Sequence, residues 1–168
     1  MLKFAASFLI FFTLTSSSAA ASDDPPRVRT FDKNLRALIE GGRARSHTFN
    51  EVYEALQNQP VIVFVECNWF LPVGLSGRGR LVTASGGYRY VHVEFACALA
   101  GRTRLAILAH ELQHAREIGE STTISDNDSM AVVFEDIEFQ TQWDGLHQAY
   151  ETQAARDVQR RVTDELGE

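Results

Sequence analysis

Between Phe95 and Thr103 the apolar pattern of the chain changes period, from two residues to between three and four. Side chains alternate across a strand and recur every 3.6 residues around a helix, so this change dictates a strand running into a helix. On the strand side, Arg89, Val91, Val93 and Phe95 alternate with Tyr88, Tyr90, His92 and Glu94, which makes one face the more apolar. On the helix side, Leu105, Leu108, Leu112 and Ala115 fall on one stripe, and Gly119 is placed to close the helix.

The flanking segments fill in the rest. Val61-Ile62-Val63-Phe64-Val65 is an unbroken β-branched and aromatic run, the pattern of a strand covered on both faces. Leu81 to Ala84 and Tyr88 to Phe95 are joined through Ser85-Gly86-Gly87, which predicts a hairpin. Before the sheet, Thr30 is placed to cap a helix that reaches Glu40 and stops at Gly41-Gly42. Thr48-Phe49-Asn50-Glu51 has capping-box spacing and predicts a second helix to Asn58, ended by Pro60. After the polar stretch Glu120 to Asp128, Met130, Val133, Phe134 and Ile137 mark an amphipathic helix, interrupted at Asp144-Gly145. A last helix carries Leu146, Tyr150, Ala154, Val158 and Val162 at four-residue spacing. Two helices, a small mixed sheet and three helices make an α+β domain, expected to be single over residues 22–168.

The first residues read differently. Met1-Leu2-Lys3 is a short positive start, Phe4 to Leu14 is apolar without a charge, and Ala19-Ala20-Ala21 completes a small-residue stretch. That order is a secretory signal peptide over residues 1–21, cut after Ala21. The apolar stretch is well short of the roughly 20 residues that span a bilayer, so no stable membrane anchor is expected after cleavage and the protein is expected to be secreted or periplasmic. The formal net charge is −6 with no cluster of basic residues, which argues against a nucleic-acid partner. Cys67 and Cys97 are the two cysteines; in an oxidising compartment they pair, and otherwise they are buried thiols behaving as small apolar residues.

The chemistry is concentrated in His110-Glu111-Leu112-Gln113-His114. Two histidines four apart on a helix project from one face, one turn apart, where a single Zn²⁺ can accept both nitrogens at about 2.0–2.1 Å. Glu111 beside them is placed to take a proton from a zinc-bound water as general base and pass it to a leaving amine. By composition alone such a motif arises in roughly one chain of this length in a few hundred. Its setting on a periodic helix after a sheet, in an exported chain, favours zinc over two surface histidines.

A catalytic zinc takes three protein ligands and leaves one position open. A third histidine in the spacing H-E-x-x-H-x-x-G-x-x-H is ruled out because Glu117 stands where the glycine is required. Glu151 is the favoured third ligand, because Ala154 and Ala155 on the next turn are small enough for two helices to approach closely. Glu135, Asp136, Glu138, Asp144 and His147 compete with it. Glu117 itself, three residues beyond His114, is placed either to hold an imidazole N–H or to lie as an exposed carboxylate at the helix end. His147, Tyr150 and Tyr88 are the candidates to stabilise a developing oxyanion, and spacing selects none of them.

With His110, Glu111, His114 and Glu151 the chain resembles the gluzincins, zincin metallopeptidases with H-E-x-x-H on one helix and a ligand glutamate on a later one. More loosely, Leu105 to Ala115 together with Tyr150-Glu151-Thr152 is similar to small, uncharacterised secreted bacterial proteins carrying H-E-L-x-H-A. The resemblance implies a zincin-like fold, a zinc cofactor, and a peptide or protein substrate lying as an added strand along Gly79 to Ala84 or its hairpin partner. The competing reading is a secreted zinc-binding protein without hydrolytic activity. A closed four-ligand site would mark it, whereas a glutamate between the two histidines favours catalysis.

Overall fold

The structure is a computed structural model that describes residues 25–136, 142–143, 148–149 and 151–167, with backbone alone for 135–136, 142–143 and 148–149. The predicted signal peptide lies outside the described residues. In chain order the elements are β1 (Val28–Arg29), α1 (Lys33–Arg45), α2 (His47–Gln57), β2 (Val61–Asn68), β3 (Gly77–Ser85), β4 (Tyr88–Ala96), α3 (Gly101–Glu120), α4 (Asn127–Asp136), β5 (Gln142–Trp143), β6 (Gln148–Ala149) and α5 (Gln153–Glu165). This is the expected α+β composition. Among the described residues no helix is long and apolar enough to cross a membrane.

The main sheet has the order β1-β2-β4-β3 and is mixed. β2 runs parallel to β4, in register from Val61 opposite Arg89 to Asn68 opposite Ala96. β3 returns antiparallel on the outer side of β4, completing the predicted hairpin, with a bulge between Leu81 and Thr83. Alternation then sorts the side chains. Val61, Val63, Val65, Val91, Val93 and Phe95 are buried in the core cluster together with Leu105, Leu108 and Leu112 of α3. Phe64, Glu66, His92 and Glu94 share the other face, which is not covered as the unbroken apolar run of β2 had led us to expect. Phe64 is only half-buried, stacked at 6.2 Å on the exposed Phe31. Cys67 and Cys97 form a disulfide that ties the end of β2 to the residue after β4.

α3 is the centre of the molecule. Every residue from Leu105 to Ala115 is buried, not just the apolar stripe, because the sheet and α2 pack on one side and α5 on another. Two glycines read as helix stops serve this packing. α1 continues through Gly42, where a Cβ would sit 2.8 Å from Leu105 Cδ2, and α3 continues through Gly119, where a Cβ would lie 3.1 Å from Val61 Cγ1. Both mark close contacts between elements; neither ends a helix.

The caps are also displaced from their expected positions. Asp32, not Thr30, caps α1, its Oδ1 accepting from the Asn34 amide at 2.7 Å. Ser46 caps α2 by accepting from the Phe49 amide, which releases the Thr48 hydroxyl to donate to Glu165 Oε1 near the end of α5. Ser46 Oγ donates to the other oxygen of the same carboxylate at 2.5 Å. α5 begins at Gln153, later than the four-residue spacing implied, because the Thr152 hydroxyl accepts from the Ala155 amide and caps the helix there. Its buried stripe is Ala155, Val158 and Val162. Ala154 is exposed, so only the second of the two small residues serves the contact with α3.

Candidate metal centre

His110 and His114 lie in the middle of α3, where burial on all sides leaves their rings little freedom. Their Nε2 atoms face each other at 3.2 Å, with ring planes nearly perpendicular. Glu151 approaches from the opposite element, its Oε1 3.3 Å from His110 Nε2. It sits in the connection just ahead of α5, correcting the expectation of a glutamate borne on the helix itself. The capping hydroxyl of Thr152 starts the helix two residues later, so Glu151 is carried by the chain entering it.

These distances fit a tetrahedral ion. Donors at about 2.05 Å from a tetrahedral zinc stand about 3.3 Å from one another. The two measured edges, 3.2 and 3.3 Å, are of that length. The three donor atoms all lie within 4.8 Å of one another. Glu151 Oε1 is moreover a buried carboxylate oxygen with no hydrogen-bond partner. Arg156 Nε stands 3.7 Å from this oxygen, close enough to offset its charge in part but too far for a hydrogen bond, and a cation between it and the imidazoles would satisfy it directly. The residues present therefore fit zinc, although two nitrogens and an oxygen would also serve other divalent ions.

The surroundings act differently on the three donors, and only His110 is biased toward the deprotonated form that ligation needs. Burial, reinforced by the neighbouring His114, lowers the His110 pKa to about 4, which keeps its ring neutral. Burial pushes His114 the same way, but Glu117, Glu111 and Glu151 outweigh it and raise its pKa. Glu151 is raised by partial burial, against the pull of His114 and Arg156. Glu111, fully enclosed, is lifted by desolvation to about 7, with His114 acting in the other direction. A carboxylate poised there can exchange a proton with a reacting group near neutrality.

β3 lies directly over Glu111. A Cβ on Gly77 would fall 2.6 Å from Glu111 Oε1 and one on Gly79 3.7 Å from Oε2, so the glycines let the strand backbone close down on the carboxylate. Glu117 is not an exposed helix-end charge. Its Oε2 lies 3.0 Å from His114 Nδ1, and its Oε1 accepts from Gln113 Nε2 at 3.1 Å and from the Thr152 hydroxyl at 2.9 Å. Sequence reasoning passed over Gln113, Thr152 and Gly77. A Thr ahead of a helical run is a recognisable cap, and that signal could have found Thr152.

Of the competing donors, the side chains of Glu135, Asp136, Glu138, Asp144 and His147 lie outside the described residues, as does Tyr150. Tyr88 is at the far end of β4, seven residues before the Phe95 that pairs with Gly77, or roughly 23 Å along the strand. Its ring instead supports the Arg27 guanidinium at 4.7 Å. A second grouping, Glu66, His92 and Glu94, has donor atoms equally close together on the open face of the sheet. There Glu94 already accepts from Asn68, Arg78 and Arg80, and two guanidinium groups disfavour a cation.

Comparison with protein-family models finds no match, and searches of curated proteins and of solved structures find none either.

Proposed function

We propose that this protein is an exported zinc-dependent hydrolase of the zincin type, acting as a metallopeptidase. The observation that carries the proposal is the cluster of three donors, His110, His114 and Glu151, within 4.8 Å of one another and with two edges of tetrahedral length, and the enclosed Glu111 between the two histidines in sequence. Zinc held by these residues would supply Lewis acidity and bring the pKa of a coordinated water towards about 7. The chain supplies the rest. Glu111 accepts a proton from the attacking water and returns it to the departing amine, and burial has already brought its affinity for that proton near neutrality. β3, the last strand in the sheet order, offers an edge beside this carboxylate along which an extended peptide can add as a further strand. Export is supported by the Cys67–Cys97 disulfide, a linkage that persists in oxidising compartments.

The test couples metal analysis with a peptide-library cleavage screen on the purified protein. Wild type is expected to hold one zinc and to cleave. Glu111→Gln should keep the zinc and lose turnover by at least a hundredfold, whereas His114→Ala and Glu151→Ala should lose zinc as well. A Glu111→Gln variant as active as wild type would remove the proposed base. Stoichiometric zinc without cleavage of any library member would leave the non-catalytic zinc-binding reading in its place.

A further inference from the structure

The three donors come from two segments that are far apart in the chain, and the geometry points to one side chain that registers them against each other. We infer that Glu117 is a positioning residue for the metal centre, joining the imidazole of His114 to the chain that carries Glu151 by way of the Thr152 hydroxyl. The inference rests on the metal reading above and deepens it.

The argument is one of donors and acceptors. Glu117 Oε2 faces His114 Nδ1 at 3.0 Å. A ring nitrogen beside a carboxylate carries the proton, so Nδ1–H is donated and Nε2 keeps its lone pair for the side facing His110. The second oxygen accepts from Gln113 Nε2 and from the Thr152 Oγ hydrogen. Three donors thus converge on one group, and an ionised carboxylate accepts all of them. An amide of the same shape cannot, because half of it is itself a donor. At the other end, the Thr152 hydroxyl is committed twice, donating to Glu117 and accepting from the Ala155 amide as the cap of α5. Thr152 is buried and immediately follows Glu151. Its single hydroxyl therefore fixes both where α5 begins and how near the preceding glutamate stands to the histidines. Glu117 holds one proposed ligand directly and the other through one residue.

The experiment measures zinc affinity of the full chain by competition with a chromophoric chelator, and the visible spectrum of the cobalt(II)-substituted protein. Wild type is compared with Glu117→Gln, Thr152→Val, Thr152→Ser and the Glu117→Gln/Thr152→Val pair. Circular dichroism checks folding, and Glu120→Gln, an exposed position on the same helix paired with Arg116, serves as control. Glu117→Gln is expected to weaken zinc ten- to a hundredfold and to shift the cobalt bands. Thr152→Val should weaken it by about tenfold, Thr152→Ser should restore the wild-type affinity and spectrum, and the double variant should be less impaired than the product of the two single losses. Should Glu117→Gln fail to fold, the Thr152→Val and Thr152→Ser comparison decides, because valine matches threonine in shape. Unchanged affinity and spectrum in both single variants, or strictly multiplicative losses, would overturn the inference while leaving the metal site standing. A wild-type protein that takes up no stoichiometric zinc would overturn the metal reading and this inference together.

Discussion

At the scale of single residues, the closest contact around the site is also the most informative. Gly77 has room for a hydrogen and no more, since a Cβ would meet Glu111 Oε1 at 2.6 Å and Ile107 Cγ2 at 2.9 Å. Of the two neighbours, the carboxylate is the free end of a flexible chain and is the one that would yield. Gly77→Ala is therefore expected to push Glu111 out of position, lowering kcat at least tenfold with zinc content unchanged. The overpacking should also destabilise the fold by about 1–3 kcal/mol. Full activity in that variant, with zinc bound, would show that the placement of Glu111 under β3 does not matter to turnover. The pairing of His110 with His114 was legible in the sequence because a four-residue interval on a helix leaves two imidazoles only one arrangement. Gly77 was not, because its meaning depends on a contact made 34 positions later in the chain with Glu111.

Elements show a similar division. Strands and helices were readable wherever one face is apolar, as in β4 and the first half of α3, since periodicity records burial directly. Their ends were less so. Gly42 and Gly119 resemble stops because glycine is what a stop uses, yet a contact between helices or between helix and strand also excludes a side chain, and one sequence does not separate the two causes. The capping-box reading of Thr48 went astray for a different reason: its partner is Glu165, 117 residues away, and not Glu51. That long-range cap makes a prediction. Burial raises the Glu165 pKa, but hydrogen bonds from Ser46 and Thr48 outweigh it and hold the pKa below the ordinary 4.5. A carboxylate depressed in the folded state stabilises above its unfolded pKa and loses that contribution as pH falls through the folded one. Glu165→Gln should thus lower stability by about 1 kcal/mol at pH 7, a figure reduced for its partial exposure, and the gap from wild type should narrow below about pH 4. Urea unfolding at pH 7 and pH 3 measures it; an equal gap at both would mean that the charge is irrelevant to the cap.

For the whole molecule, the covalent link and the proposed metal act on the same core from different sides. Cys67–Cys97 closes a loop of 30 residues that contains the entire β3–β4 hairpin, including the two glycines over Glu111. Constraining a loop of that length in the unfolded chain is worth about 3 kcal/mol. Replacing both cysteines with alanine is expected to lower stability by about that amount in chemical unfolding. A loss under 0.5 kcal/mol would mean that the hairpin is held by packing alone. On the opposite side, α5 is fastened at its start through Thr152 and at its end through Glu165. The third proposed ligand thus takes its place in space from what lies downstream of it. The placement of the Glu151 carboxylate is therefore expected to depend more on the threonine that follows it than on the number of positions separating it from His114. A search for kindred chains is better keyed to a histidine pair followed, at any interval, by an acidic residue and a threonine opening a helix.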